Sequence, residues 1–420
     1  MENSIKITAK CHHTKTNAVL LSLFIISLML RLGTTFYQYS IKGTSEWSDA
    51  KLYVADGISF ARGDFFPGND ENRYMVEGPV IPILVATASV IIGNPIWPVL
   101  ILNCILSSLL VYVLFKLGEK TISQTAGYIL SIWSVFNFSL IRLNYQVLKE
   151  PLIILLLPLI ALTLVNINQK KRALLNVTAS SLLFSLLIHT DERFFIYLPA
   201  IYAFIIIAFK ARERLRYSLI WLAILLITML PWTIRNYHQF GEMVLLTPRT
   251  TAITSKIWGT DFAKMHFSSD DRINSQIGHR IESAQRAAVE SRLMPRKYGR
   301  FEKYYKAFIH YWQPAYFKLH YIQYGFRPVR WSFAHNLNSV AFYGMFLPFF
   351  AAGIVFAIIR KKWLMMFFSS LPLIHGILHT LMIWPLERYR IPFNFMIVLV
   401  ALWFIHSILA NSKFKRKKAG

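Results

Sequence analysis

Ten runs of about 20 mostly apolar residues constrain this chain more than any other feature. They fall at roughly 17–36, 97–117, 121–141, 150–168, 174–190, 194–211, 216–234, 341–359, 363–384 and 391–410. A helix rises about 1.5 Å per residue, so each run can cover the ~30 Å hydrocarbon core of a bilayer. In lipid, backbone N–H and C=O groups must be satisfied internally, which turns such runs into helices. Composition agrees: 55% of the residues are apolar and only 16% are charged, against about 25% charged in an average soluble domain. The predicted fold class is an all-α polytopic membrane protein. Its hydrophobicity excludes disorder. The two cysteines, Cys11 and Cys104, exclude a disulfide scaffold, since Cys104 lies inside an apolar run. The first run is long for a signal-peptide core and no small-x-small cleavage pattern follows, so it is expected to stay as a helix.

Charge sets the orientation. The chain carries 46 Lys and Arg against 21 Asp and Glu, a formal +25. The segment Pro79–Gly93 would rise only about 22 Å as a helix. If it does not cross, one face collects Lys6, Lys10, Lys15, Lys116, Lys120, Lys170, Lys171, Arg172, Lys210, Arg212, Arg214 and Arg216. The same face then receives Arg360, Lys361, Lys362, Lys413, Lys415, Arg416, Lys417 and Lys418. That is the basic cytoplasmic face of the positive-inside rule, and a crossing segment would destroy it. Segment 79–93 is therefore predicted to dip into the outer leaflet or lie against the bundle. Both termini are expected in the cytoplasm, with the protein in the cytoplasmic (inner) membrane.

Two long segments, 37–78 and 235–340, are then outside. The second holds 16 Lys and Arg against 7 Asp and Glu. Long loops translocate regardless of charge, so this basicity needs another explanation. Residues 279–293 read as a polar amphipathic helix. The stretch 298–333 interleaves Tyr304, Tyr305, Tyr311, Trp312, Tyr321, Tyr324 and Trp331 with Lys303, Lys306, Lys318, Arg327 and Arg330. That pattern fits an interfacial aromatic belt, and equally a surface for an anionic lipid-linked ligand. Nucleic acid is not an expected partner, because this basic surface faces away from the cytoplasm. No internal repeat or low-complexity tract occurs.

Ionisable residues at a membrane edge are costly, which makes each a functional candidate. They gather at five predicted outer turns. The first loop supplies Glu46, Asp49, Lys51, Asp56, Asp64, Arg73 and Glu77. The others supply Arg142, Lys149 and Glu150; His189, Asp191, Glu192 and Arg193; Arg235; and Glu387, Arg388 and Arg390. Such a gathering suits an active site on a bundle rim, whereas a conduction pathway places its charges at mid-depth. Residues 49–62 read as a short helix, for which Ser48 or Asp49 could be the N-cap. Asp49 as cap and Asp49 as catalytic base both stay open at this point. Glu77, ahead of Gly78-Pro79, suits a helix start favoured by the dipole. His375 and His379 have metal-compatible i, i+4 spacing but no evident third ligand, so packed histidines are expected. Cys11-His12-His13 is a weak metal signal. Phosphate-cradling glycine loops, nucleophile elbows and HExxH are absent from the sequence.

Four stretches together resemble the C-type superfamily of integral-membrane glycosyltransferases, in the branch of protein O-mannosyltransferases and the lipid A aminoarabinose transferase. They are Asp49-Ala-Lys-Leu-Tyr53 with Gly63-Asp64 and Glu77-Gly-Pro79; Tyr145-Gln-Val-Leu-Lys-Glu150-Pro151; Pro231-Trp232-Thr233-Ile234-Arg235-Asn236-Tyr237; and Glu387-Arg388-Tyr389-Arg390-Ile391-Pro392. They run in family order over nearly the whole chain. The resemblance implies a C-type fold of about 10–11 transmembrane helices with juxtamembrane helices outside the cytoplasm. The implied division is a membrane catalytic module over 1–234, an outer loop over 235–340, and final membrane helices with a basic tail over 341–420. Many members carry a second acidic residue directly after the first; here it is Ala50, so no metal or other cofactor is expected. The chain is shorter than the lipid A and protein-modifying members and a carboxy-terminal soluble domain is not expected, so acceptor identity does not carry over.

By the same resemblance, the expected activity moves a sugar from a polyprenyl-phosphate carrier to an acceptor hydroxyl on a glycan, lipid or protein, with inversion. Asp49 matches the family's catalytic acidic position and is expected to be the general base, with Glu77 orienting a sugar hydroxyl or a cation. Arg235 and Arg388 are the first choices for the departing phosphate, which a guanidinium can grip bidentately. Lys149, Glu150, Arg193 and Arg390 are further substrate contacts, and Tyr53 packs on the sugar or holds Asp49. The competing readings are an oligosaccharide ligase or polymerase of the same superfamily and, more remotely, a transporter of lipid-linked sugars. The transporter would show repeated halves and mid-membrane charges.

Overall fold

The structure, a computed structural model, describes residues 2–42, 48–64, 78–240, 244–247, 300–314, 333–381 and 387–419. Every regular element among them is helical. The amino-terminal part comprises α1 (Glu2–Lys42), α2 (Ser48–Ala61), α3 (Val80–Ile92), α4 (Trp97–Thr121), α5 (Gln124–Phe136), α6 (Phe138–Ile141), α7 (Glu150–Asn168) and α8 (Ala173–Thr190). After a 3-10 turn (Glu192–Tyr197) come α9 (Leu198–Ala208), α10 (Ala211–Phe240), α11 (Arg300–Trp312), α12 (Phe333–Phe342), α13 (Leu347–Ile359), α14 (Trp363–Leu381), α15 (Glu387–Arg390) and α16 (Asn394–Ala419). The predicted amphipathic helix at 279–293 lies outside the described residues, as do Glu77 and residues 315–332.

Eight helical spans are long and apolar enough to cross a membrane, and each matches one of the ten predicted runs. The chain is a multi-pass membrane protein. The two runs that differ are shortened by polar residues within or beside them. Run 121–141 breaks at Asn137, whose side chain accepts from Ser139 N at 3.0 Å and caps α6. Asn338 of α12 then bridges the break, donating to Phe136 O (3.0 Å) and accepting from Phe138 N (2.9 Å). Those bonds satisfy backbone groups that a helix end leaves open. Run 194–211 begins as the 3-10 turn and is helical only over Leu198–Ala208. Segment 79–93 forms α3, whose 13 residues rise about 20 Å, short of a bilayer core.

The bundle is organised around α7, with 83% of its apolar window buried, whereas α1 and the α12–α13 unit are peripheral at 22%. The wrapping helices expose apolar side chains such as Met29, Ile91, Ile227 and Ile359, as a lipid-facing surface requires. The predicted aromatic belt divides. Tyr304 and Tyr305 are exposed, but Tyr311 is fully buried, and Trp312 packs so closely on Gly376 that a Cβ there would lie 2.6 Å from the indole. Helix α11 is thus docked on α14 by its last turn.

Candidate active site

At one end of the bundle, four of the five predicted turns converge. Asp49 lies in the first turn of α2 and meets Arg388 of α15 across 339 residues, with Nη2 donating to Oδ2 at 2.6 Å. Arg388 also donates to the Tyr389 hydroxyl at 3.0 Å, and its Nε lies 3.9 Å from Glu150 Oε1. Glu150 opens α7, with Pro151 behind it in the first turn. There the helix dipole favours a carboxylate and proline loses no hydrogen bond. Glu150 is buried, and its Oε2 has no hydrogen-bond partner among the described residues.

Lys149, the residue before, reaches Asp191 at 3.5 Å. Asp191 ends α8 in extended conformation and starts the 3-10 turn by accepting from Arg193 N at 3.2 Å. Its carboxylate also takes the Arg193 guanidinium in a fork, through Nε at 2.8 Å and through Nη2. Burial alone pushes the Asp191 carboxyl up, but Arg193 and Lys149 outweigh it and hold the carboxyl well below the ordinary range. Burial likewise disfavours the Arg193 cation, and Asp191 reverses that, raising its pKa. The circuit closes on Tyr389, whose ring lies 4.1 Å from the Arg193 guanidinium and 5.0 Å from that of Arg388.

Local sequence explains why these turns can approach. Gly78 faces the carbonyl of His189, where a Cβ would come within 2.1 Å, so the Gly-Pro start of α3 seats against the end of α8 beside Asp191. Tyr53 is one turn beyond Asp49 and buried. Residues Ala50, Lys51, Val54, Ala55 and Ile58 form the opposite face of α2. With Tyr39, Ile96, Leu100 and Tyr145 they line a mostly apolar groove of about 240 Å³.

Two predicted substrate contacts are placed elsewhere. Arg390 is nearly fully buried and donates to the carbonyls of Tyr311 (2.7 Å) and Gln313 (2.9 Å), over the Tyr343 ring at 3.6 Å. It is a brace behind the site, because two backbone acceptors and an aromatic face hold its guanidinium away from the rim. Arg235 bonds Asn236 at 3.0 Å over the Trp232 ring, and its carboxylate neighbours are Asp56 and Asp64. It therefore sits toward the far end of α2 from Asp49. A second brace, missing from the predicted contacts, joins Glu387 to Ser139 Oγ (3.1 Å) and Arg142 (2.9 Å). The break at Asn137 delivers both partners. Asp191, the centre of the cation cluster, was visible in sequence only as one acid in a charged turn. Among the described residues, no group of three or more His, Cys, Asp or Glu side chains could hold a metal ion.

Residues 76–234 match the family model for dolichyl-phosphate-mannose-protein mannosyltransferase. The match spans Lys149, Glu150, Asp191 and Arg193, and bears out the resemblance read from the sequence. A comparison with curated proteins gives no match. Among solved structures, the chain is similar to crystal structures of Archaeoglobus fulgidus oligosaccharyltransferase. The apo form is 13% identical with a TM-score of 0.54, covering 95% of this chain and 52% of that one. The form tethered with an acceptor peptide containing the NVT sequon is 14% identical with a TM-score of 0.55, covering 95% and 50%. The complex with Zn and sulfate is 13% identical with a TM-score of 0.54, covering 94% and 49%. This chain thus spans about half the length of those structures, and at that identity the likeness shows the fold, which is the C-type glycosyltransferase fold.

Proposed function

We propose that this protein is a membrane glycosyltransferase that takes a sugar from a polyprenyl-phosphate carrier and joins it to an acceptor hydroxyl outside the cytoplasm, with inversion. The observation that carries the reading is the Asp49–Arg388 contact, a carboxylate and a guanidinium held together on the bundle rim. In the proposed step the acceptor oxygen attacks the anomeric carbon and its proton passes to Asp49. The bond from that carbon to the phosphate oxygen breaks, and the carrier phosphate leaves with the electron pair. Preorganised cations stabilise the charge that grows on it. Arg388 is the first of these, and Arg193 and Lys149 replace Arg235 as its partners. The buried Glu150 Oε2 is available to orient a sugar hydroxyl, and the groove behind α2 suits the prenyl chain.

Complementation of a deletion strain, read by mass spectrometry of its glycoconjugates, tests this. Wild-type protein restores a product heavier by one sugar, and Asp49→Asn does not. A product heavier by a whole oligosaccharide would favour the ligase reading. Full restoration by Asp49→Asn would remove the proposed base. Activity is expected to survive chelation by EDTA, and a loss restored by a divalent cation would end the proposal of metal independence.

A further inference from the structure

The histidine pair of α14 has no place in the proposed step, yet it lies directly behind it. Resting on the proposed role of Arg388 and Arg193, we propose that His375 is a positioning residue that sets the spacing of these two guanidinium groups. His375 Nε2 lies 2.9 Å from the carbonyl of Tyr389, the residue after Arg388. A carbonyl only accepts, so Nε2 carries the proton and the neutral ring presents Nδ1 as an acceptor. Nδ1 lies 2.5 Å from the Tyr197 hydroxyl, which therefore donates to it. Tyr197 ends the 3-10 turn that carries Arg193.

One imidazole thus ties the Arg193 turn to the Arg388 turn. The Tyr389 ring reports the same connection, since both guanidinium groups lie against it and His379 stacks on it at 4.9 Å. His375 is itself buried among Phe194, Tyr197 and Phe393, so its ring has little room to turn. A phosphate gripped by two guanidinium groups depends on their separation, because charge-assisted bonds require matched geometry. Losing the tie leaves both arginines present but lets the turns drift.

The test measures binding of undecaprenyl phosphate, and of the uncharged prenol, to the full chain in lipid nanodiscs. His375→Phe keeps the ring and removes both bonds; it is expected to weaken phosphate-lipid binding about tenfold. Prenol binding should stay near wild type, a split that general loosening would not produce. His375→Gln, which can still donate to the Tyr389 carbonyl, should recover most of the affinity. If His375→Phe does not fold, Tyr197→Phe removes a single oxygen and should weaken phosphate-lipid binding about threefold. Wild-type phosphate-lipid affinity in His375→Phe, or in Tyr197→Phe where that is the variant used, overturns the inference, as does equal weakening toward prenol. A wild-type protein that ignores the phosphate, or Arg388→Ala that binds it normally, would instead sink the proposed function.

Discussion

The two ends of the bundle are both rich in charge and use it in opposite ways. At one end, Lys170, Lys171, Arg172, Arg360, Lys361 and Lys362 are exposed on short turns, and Arg212 and Arg214 on the first turn of α10. Lys170 donates to the carbonyl that ends α9, Ala208 O (2.7 Å), and Lys120, at the same end, donates to the Asn166 side-chain oxygen (2.5 Å). At the other end, Lys149, Glu150, Asp191, Glu387 and Arg390 are buried and face opposite charges. Exposed charges in high dielectric contribute little to stability, so the first group is free to serve orientation in the membrane. Buried charges are expensive unless paired and hydrogen-bonded. The density of such pairs at one end is why that end reads as a built site.

Substitutions can break this contrast, beginning with the largest expected effect. Asp49→Asn should reduce sugar transfer by about 10²–10⁴-fold, the range for a lost general base, and Arg388→Ala by about 10²–10³-fold, the scale of losing one preorganised electrostatic donor. Transfer assays in which both variants keep wild-type rates would erase the functional difference between the two ends. Asp191→Asn leaves Arg193 and Lys149 around a neutral amide and should lower stability by about 3–5 kcal/mol. An unchanged thermal midpoint in detergent would show that the cluster is not held by charge.

The pH response sharpens the contrast further. His310, behind Arg390, is pushed down to about 4 by burial and by the Arg390 cation, from an ordinary 6.5. As pH falls from 6.5 toward 4, the unfolded chain takes up the proton first. The corresponding stability, up to about 3 kcal/mol, is complete above 6.5 and lost by 4. A stability–pH profile should slope through that window and flatten in His310→Gln; an identical slope in the variant would reject the assignment. The smallest effect belongs to the exposed end. Lys361 holds a left-handed φ of 50°, which glycine adopts without strain. Lys361→Gly should therefore be neutral or stabilising by about 1 kcal/mol, and a clear loss would reveal a role for that side chain beyond orientation.

Much of the architecture was legible before any coordinates. Apolar run length is a local property, and it located all eight spans because the bilayer sets one length for every crossing helix. The breaks were less legible. Asn137 carries a capping signal, but the bridge that secures its break comes from Asn338, 201 residues later, and spacing in sequence says nothing of that meeting. For the site, sequence identified the residue types and the turns. It did not separate Arg388 from Arg390, since a guanidinium looks the same in sequence whether it meets a rim carboxylate or a backbone carbonyl, nor Arg193 from Arg235, which differ in which carboxylates they reach. Only packing decided that Arg390 is consumed by Tyr311 and Gln313, and that Arg235 lies beside Asp56 and Asp64. Only packing made Asp191 a hub and His375 a tie between two turns. The sequence by itself determined that this chain spans a membrane and gathers charge at helix ends, because hydrophobic length and the penalty for immersed charge act residue by residue. Which charges meet is a long-range outcome, and tertiary structure alone decided it, because burial leaves a charged group stable only where a distant partner arrives.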